Sequence, residues 1–283
     1  MRFAVLPNLE KPQSKDVLAR LVAFAKKNEV ELLLERRTAD YFNFPELGTD
    51  NLMARSLDLA ISVGGDGTLL TALRRLYSNP VPACGINIGT VGFLADIELA
   101  EIEVKLTDFI NGKWWVEERH ILAGKVMAAN GTKLVEGHAV NDIVITKGAS
   151  ARMLHIGLSV AGDMVGVYKA DGMIISSATG STAYSLSAGG PIMHPSVNAL
   201  VVTPICPHTF TARPMVVPDT HPVGVHITAP HQDIQVAFDS HENFALRPGD
   251  MVEVTRADTP LQIVRFEDKS YYSTLSSKLW NNI

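Results

Sequence analysis

Apolar and polar positions follow two different rhythms along this chain. Up to about residue 113, short apolar runs alternate with stretches of helical spacing. Phe3 to Leu6 reads as a strand, and Lys15 to Asn28 as a helix with Leu18, Leu21, Val22 and Ala25 on one face. Val30 to Leu34 is a second apolar run. Leu57 to Val63 is a third, and it leads through Gly64-Gly65-Asp66-Gly67-Thr68 into an amphipathic helix ending near Leu76. Val81 to Ile88 reads as another strand, and Leu99 to Ile110 as a helix stopped by Asn111-Gly112. Such alternation predicts a Rossmann-like α/β domain over 1–113, with a mostly parallel sheet and helices on both faces. Ligands of such sheets bind beyond the carboxyl ends of the strands, where the glycine turn falls.

From Trp114 the pattern changes to short β-like runs separated by turn residues and prolines. Asn130-Gly131 predicts a hairpin between Lys125–Ala128 and Thr132–Val135. Gly162-Asp163 predicts another, turning Ile156–Val160 back into Met164–Tyr168. Val201–Thr203, Met215–Val217, Val223–Thr228 and Ile234–Phe238 continue the series. A β-rich, sandwich-like domain over 114–260 follows. Tyr271 to Trp280 is helical again, so 261–283 is expected to pack back on the first domain as a strand and a helix.

Composition narrows the class. The 283 residues suit about two domains, and 46% hydrophobic with 19% charged residues is the balance of a globular protein with a full core. A net charge of −5 argues against nucleic acid or an anionic membrane as main partner. The N-terminal apolar run is too short for a signal peptide, and no run is long enough to span a bilayer. A cytoplasmic location is expected. Cys84 and Cys206 fit no metal spacing and read as buried thiols. His221, His226 and His231 recur every five residues, which matches neither helix nor strand, so no metal site is expected.

Four polar clusters carry candidate chemistry. In the glycine turn, Gly65, Gly67 and Thr68 let a phosphate approach the backbone and the helix N-terminus. Asp66 would repel phosphate, so it fits better as the group that handles the proton of an attacking hydroxyl or helps to hold Mg²⁺. The bland alternative is a plain tight turn. Asn141-Asp142 precedes Ile143-Val144-Ile145 and offers an amide and a carboxylate that can grip ribose hydroxyls, or simply a strand-entry turn. Asp171-Gly172 precedes Met173-Ile174-Ile175. The run Thr179-Gly180-Ser181-Thr182-Ala183-Tyr184 exposes N–H and O–H donors, with Tyr184 able to cover a base. Its alternative is a helix N-cap. Walker-type lysine loops and Gly-x-Ser-x-Gly elbows are absent from the sequence.

In this order and spacing, these motifs resemble the NAD kinase family (ATP/polyphosphate-NAD kinases). Gly85-Ile86-Asn87-Ile88-Gly89, Gly92-Phe93-Leu94-Ala95, Ser187-Ala188-Gly189-Gly190-Pro191 and Thr203-Pro204-Ile205 extend the match, which covers about residues 57 to 218. The resemblance implies an NAD kinase-like fold whose site lies in the crevice between two domains, and transfer of the γ-phosphoryl of ATP to the 2′-hydroxyl of the adenosine ribose of NAD. It implies Asp66 as the catalytic acid, Asn141 and Asp142 on the adenosine, and Phe93, Thr182, Ala183 and Tyr184 around the adenine. Asp171 and Ser187 would lie along the rest of the dinucleotide, with Lys169 as a cation favouring NAD. A divalent cation with ATP and a homodimer or homotetramer are implied as well. Thr90, Lys169, Ala178 and Ser240-His241 depart from the usual family residues without removing a catalytic group. Lipid kinases of the diacylglycerol or sphingosine type share the glycine turn but follow it with an Asn-Glu pair, where this chain has Leu69-Leu70-Thr71-Ala72. A non-catalytic nucleotide-binding regulator would have no use for Asp66.

Overall fold

The computed structural model describes the chain except for residues 53, 54, 90, 91, 96, 149–151, 210, 229–232, 268, 269 and 281–283. Thr90 and His231 therefore lie outside the described residues. The chain divides into two compact units, Met1–Glu118 with Leu261–Ile283, and Arg119–Pro260.

The first unit opens with strands β1 (Arg2–Pro7), β2 (Glu31–Glu35), β3 (Gly48–Thr49), β4 (Leu59–Gly64), β5 (Ala83–Asn87), β6 (Ile97–Glu98) and β7 (Trp115–Arg119). Between them run helices α1 (Gln13–Lys27), α2 (Arg36–Phe42), α3 (Asp66–Leu76) and α4 (Ile102–Ile110). α1 forms where Val17, Leu18, Leu21, Phe24 and Ala25 fall on one buried face, and Lys26 and Lys27 complement its negative end. α3 buries Leu69, Ala72, Leu73 and Leu76 in the same way. β1 pairs in parallel with both β2 and β4, and β4 with β5. β4 is buried along its whole length, as a central parallel strand covered on both faces must be.

The second unit contains β8 (Leu122–Met127), β9 (Lys133–Ala139), β10 (Asp142–Lys147), β11 (Leu154–Val160), β12 (Asp163–Ala170) and β13 (Gly172–Ser176). After the short helix α5 (Tyr184–Ser187) come β14 (Ala199–Ile205), β15 (Met215–Pro218), β16 (Val223–Ile227), β17 (Ile234–Phe238), β18 (Glu242–Leu246) and β19 (Met251–Arg256). They form two antiparallel six-stranded sheets, ordered β15-β14-β13-β10-β17-β18 and β12-β11-β16-β19-β8-β9. The core draws Ile143, Ile145, Met173, Ile175 and Phe238 from one sheet and Leu122, Ile156, Leu158, Val225 and Val252 from the other, which is a sandwich.

The chain then returns to the first unit as β20 (Leu261–Arg265) and α6 (Tyr271–Leu279). β20 completes a sheet ordered β3-β2-β1-β4-β5-β20-β7, with β6 alongside β5. Val264 and Phe266 enter the core of this unit.

Two expectations need correction. The turn between β11 and β12 is Ala161-Gly162, because these two residues take the positive φ angles of 53° and 89° that such a hairpin requires. Cys84 is buried in β5, but Cys206 is exposed, since it follows the last residue of β14 with φ 45°.

Candidate active site

In the first unit, β4 ends at Gly64 and α3 begins at Asp66, so the glycine turn crowns the carboxyl end of the central strand. A Cβ built at Gly65 or Gly67 would meet nothing within 4 Å among the described residues, which leave the turn open there. Thr68 is tied to the loop after β1 by Asn8, whose Nδ2 donates to Thr68 Oγ1 at 3.3 Å.

The Asp66 carboxylate turns toward the loop after β5. Oδ2 accepts the amide of Phe93 at 2.7 Å, and Oδ1 accepts those of Leu94 and Ala95 at 3.0 and 2.9 Å. Gly92 makes this possible, because a Cβ there would run into the carboxylate. Arg265 of β20 grips the same loop from its carbonyls, donating to Leu94 O at 3.1 Å and Phe93 O at 3.2 Å while paired with Glu117 at 2.7 Å. A carboxylate offers roughly four acceptor positions, and backbone amides fill three of them. Asp66 thus anchors the Phe93 loop and keeps acceptor capacity for one further partner. From α6, Lys278 approaches Asp66 Oδ2 to 3.8 Å and lies 4.8 Å over the Phe93 ring, while Tyr271 packs against that ring at 6.3 Å.

In the second unit, Asn141 and Asp142 form the corner that starts β10. Asp142 is 4% exposed, and its pKa is pushed up to about 7, first by burial and then by the charge of Asp239. Asp239 holds the corner. Its carboxylate accepts the amides of Val140, Asn141 and Asp142 at 2.7, 2.7 and 3.2 Å, and its own amide donates to Asp142 O at 3.0 Å.

Register places Asp142 opposite Ser176 of β13. Ser177 donates from its amide to Asn141 O at 2.9 Å and from Oγ to Val140 O at 2.6 Å. A Cβ at Gly180 would strike the Asn141 carbonyl, so the hydroxyl-rich turn abuts the corner only because residue 180 is glycine. Arg119 supports the turn from below, donating to Thr179 Oγ1 at 3.2 Å. The structure therefore brings Asn141 and Asp142 together with the 179–184 run. Thr182 and Ala183 are half-buried, while Tyr184 and Ser187 are exposed, with open faces for a ligand.

Asp171 and Lys169 lie elsewhere. Asp171 precedes β13 and pairs with Lys147 at 2.6 Å, at the end of β10 and β13 away from Asp142. Ser176 lies five residue steps further on, roughly 17 Å of extended chain. Lys169 is exposed on β12.

Sequence reasoning missed Asp239, Arg265, Lys278, Arg119 and Lys147. Each acts through partners far away in the chain, so no local spacing marks it. Asp239 alone had a local hint, as an acidic residue next to an atypical Ser240-His241 turn.

A glycine turn at a strand–helix switch in one unit, and a buried acid beside a hydroxyl-rich turn in the other, are features of the class of nucleotide-handling proteins. Comparison with known proteins agrees. Residues 8–114 match the ATP-NAD kinase N-terminal domain and residues 140–266 the ATP-NAD kinase C-terminal domain. The NAD kinase of Moorella thermoacetica is 39% identical over 278 residues, covering 98% of this chain and 89% of that protein. The NAD kinase of Thiobacillus denitrificans is 38% identical over 261 residues, covering 92% and 89%. Among solved structures, an NAD kinase from Archaeoglobus fulgidus in complex with ATP superposes with a TM-score of 0.78 at 26% identity, covering 98% of both chains. Yeast NADH kinase complexed with NADH shares the fold, with a TM-score of 0.91 at 21% identity over 100% of this chain and 88% of that one. This chain belongs to the ATP-NAD kinase family.

Proposed function

We propose that this chain transfers the γ-phosphoryl group of ATP to the 2′-hydroxyl of the adenosine ribose of NAD, giving NADP and ADP. The observation that carries this reading is the Asp66 carboxylate, fixed by three amides beside an open glycine turn. Phosphoryl transfer depends on position and charge more than on covalent chemistry. The amides of Gly65 and Gly67, with the Thr68 hydroxyl, would donate to phosphate oxygens at the positive end of α3, the Thr68 amide being already bonded to Gly65 O at 3.0 Å. The remaining acceptor position of Asp66 would orient the 2′-hydroxyl and receive its proton late, as bond formation acidifies it.

Asn141 and Asp142 would hold the adenosine ribose, with Phe93, Thr182, Ala183 and Tyr184 against the adenine. Ser187, Asp171 and Lys169 would meet the rest of the dinucleotide. Among the described residues, no three His, Cys, Asp or Glu side chains gather into a metal cage. A nucleotide-bound Mg²⁺ takes most of its ligands from phosphate and water, so the site needs no such cage, and the one open position of Asp66 stays with the 2′-hydroxyl. When bound, the ion neutralises phosphate charge.

ATP and NAD as substrates support a cytoplasmic location. Among the described residues, no helix is long and apolar enough to cross a membrane. A homodimer or homotetramer is supported by β12, an edge strand that exposes Met164, Val165 and Val167. The deciding experiment incubates purified protein with NAD or NADH, ATP or polyphosphate, and Mg²⁺, and measures the phosphorylated dinucleotide. Turnover of NAD with ATP is expected. If no NADP forms under any combination, the reading fails.

A further inference from the structure

We propose that Lys278, carried by the C-terminal helix α6, is a further active-site residue that moves from the Asp66 carboxylate onto the phosphates of the bound nucleoside triphosphate. The inference rests on the proposed reading of the glycine turn as the phosphoryl-donor site.

That turn has amides but no cation of its own. From Gly64 to Leu73 the sequence holds no Lys or Arg. Arg74 and Arg75 sit eight and nine residues into α3, about 12 Å along the axis from its start, and Arg75 is already paired with Glu35. Backbone amides and a helix dipole carry only partial charges, whereas a triphosphate brings several full negative ones. A strong phosphate site gains from a nearby ammonium or guanidinium group.

Lys278 is placed to supply it. Its side chain is 28% exposed and reaches the mouth of the turn, with Nζ 3.8 Å from Asp66 Oδ2 and 4.8 Å from the centre of the Phe93 ring. The first distance is longer than a direct hydrogen bond, and Asp66 is already occupied by three amides. Both contacts of the ammonium group are thus weak, and an arriving phosphate offers closer and more highly charged acceptors. The helix is also registered to the site. Tyr271 and Lys278 are seven residues apart, on one face of α6, and both touch Phe93. Phe93 is in turn held through its amide by Asp66. The seat of α6 is therefore coupled to the residue that faces the reaction.

Lys278→Met keeps the apolar stem and removes the charge. It is expected to raise the KM for ATP by roughly tenfold or more while leaving the KM for NAD within about twofold, and Lys278→Arg should recover most of the loss. An unchanged KM for ATP in Lys278→Met would overturn the proposal. So would equal losses in both variants accompanied by a lowered Tm, which would make Lys278 a structural tie. A second measurement needs no variant. In wild-type protein, acetic anhydride labelling read by peptide mass should show Lys278 protected more strongly by ATP than by NAD. Unchanged labelling with saturating ATP would equally overturn it. Failure of the underlying reading looks different: the wild type would then form no NADP at all.

Discussion

Asp142 and Asp66 are both carboxylates, yet their surroundings set them different tasks. Asp142 is buried, so its charged form is disfavoured in the folded protein, and its pKa rises from 3.8 to about 7. An acid with a raised folded pKa contributes most to stability below its unfolded pKa, and that contribution is lost as pH climbs toward 7. Asp142→Asn should therefore match the wild type near pH 4 and exceed it at pH 8, by up to about 4 kcal/mol. Urea unfolding at the two pH values measures this, and equal stability at pH 8 would show that burial imposes no such cost. Over the same interval the wild type gains the ionised acceptor for the ribose hydroxyls, so its KM for NAD should fall from pH 6 to pH 8. Asp66 instead sits at the start of α3, where three backbone amides fix the position of its carboxylate. Asp66→Asn removes both the proton acceptor and one partner of the Phe93 loop, since an amide nitrogen cannot accept from the Phe93 N–H. The chemical step should slow by roughly 10²–10⁴-fold, and the fold should lose about 1–3 kcal/mol. Single-turnover kinetics and a melting curve read the two effects separately. A variant with near-wild-type kcat would remove Asp66 from the chemistry.

At the scale of elements, the turn from β17 to β18 acts on the start of β10. Asp239 and Ser240 take φ angles of 48° and 58°, a left-handed pair that aims the Asp239 carboxylate at three successive amides. Asp239→Ala would leave those amides without their acceptor, at a cost of about 2–3 kcal/mol. It would also remove the charge that helps to raise the Asp142 pKa, so the pH midpoint of NAD binding should move below its wild-type position. A lower Tm with an unmoved midpoint would limit Asp239 to support. Ser240→Gly tests the backbone itself. A left-handed L-residue costs about 1–2 kcal/mol, and glycine loses about 0.5–1 kcal/mol more entropy on folding. The variant should thus be neutral to about 1 kcal/mol more stable in the same melts. The sequence shows Ser240 as a departure from the family pattern, but not the corner that its turn supports. The Gly64–Thr68 turn, the strand rhythm and the Asn141-Asp142 corner were legible because each is a local signal. The Asp239 and Arg265 anchors were not, because they join residues that lie far apart along the chain.

At the scale of the molecule, the two units differ in how the chain builds them. Arg119–Pro260 is continuous, with both of its sheets and their shared core supplied from one stretch. The other unit is assembled from Met1–Glu118 and Leu261–Ile283. The rhythm changes near Trp114, but the first sheet still takes β7 after it and recovers β20 some 140 residues later, and the place of β20 between β5 and β7 is what local periodicity has no means of showing. β20 lies between β5 and β7, so its removal would expose the edge of β5 and leave β7 without its neighbour. Val264 and Phe266 would leave the core, and Arg265 would release the Phe93 loop. Expressed alone, a fragment of residues 119–260 should therefore fold, with β-type circular dichroism and a cooperative thermal transition. Residues 1–118 alone should not, but adding 261–283 in trans, or through a short Gly/Ser linker, should restore a cooperative transition. If 1–118 melted cooperatively without the C-terminal segment, β20 would be an accessory strand, and the Phe93 loop would need another anchor.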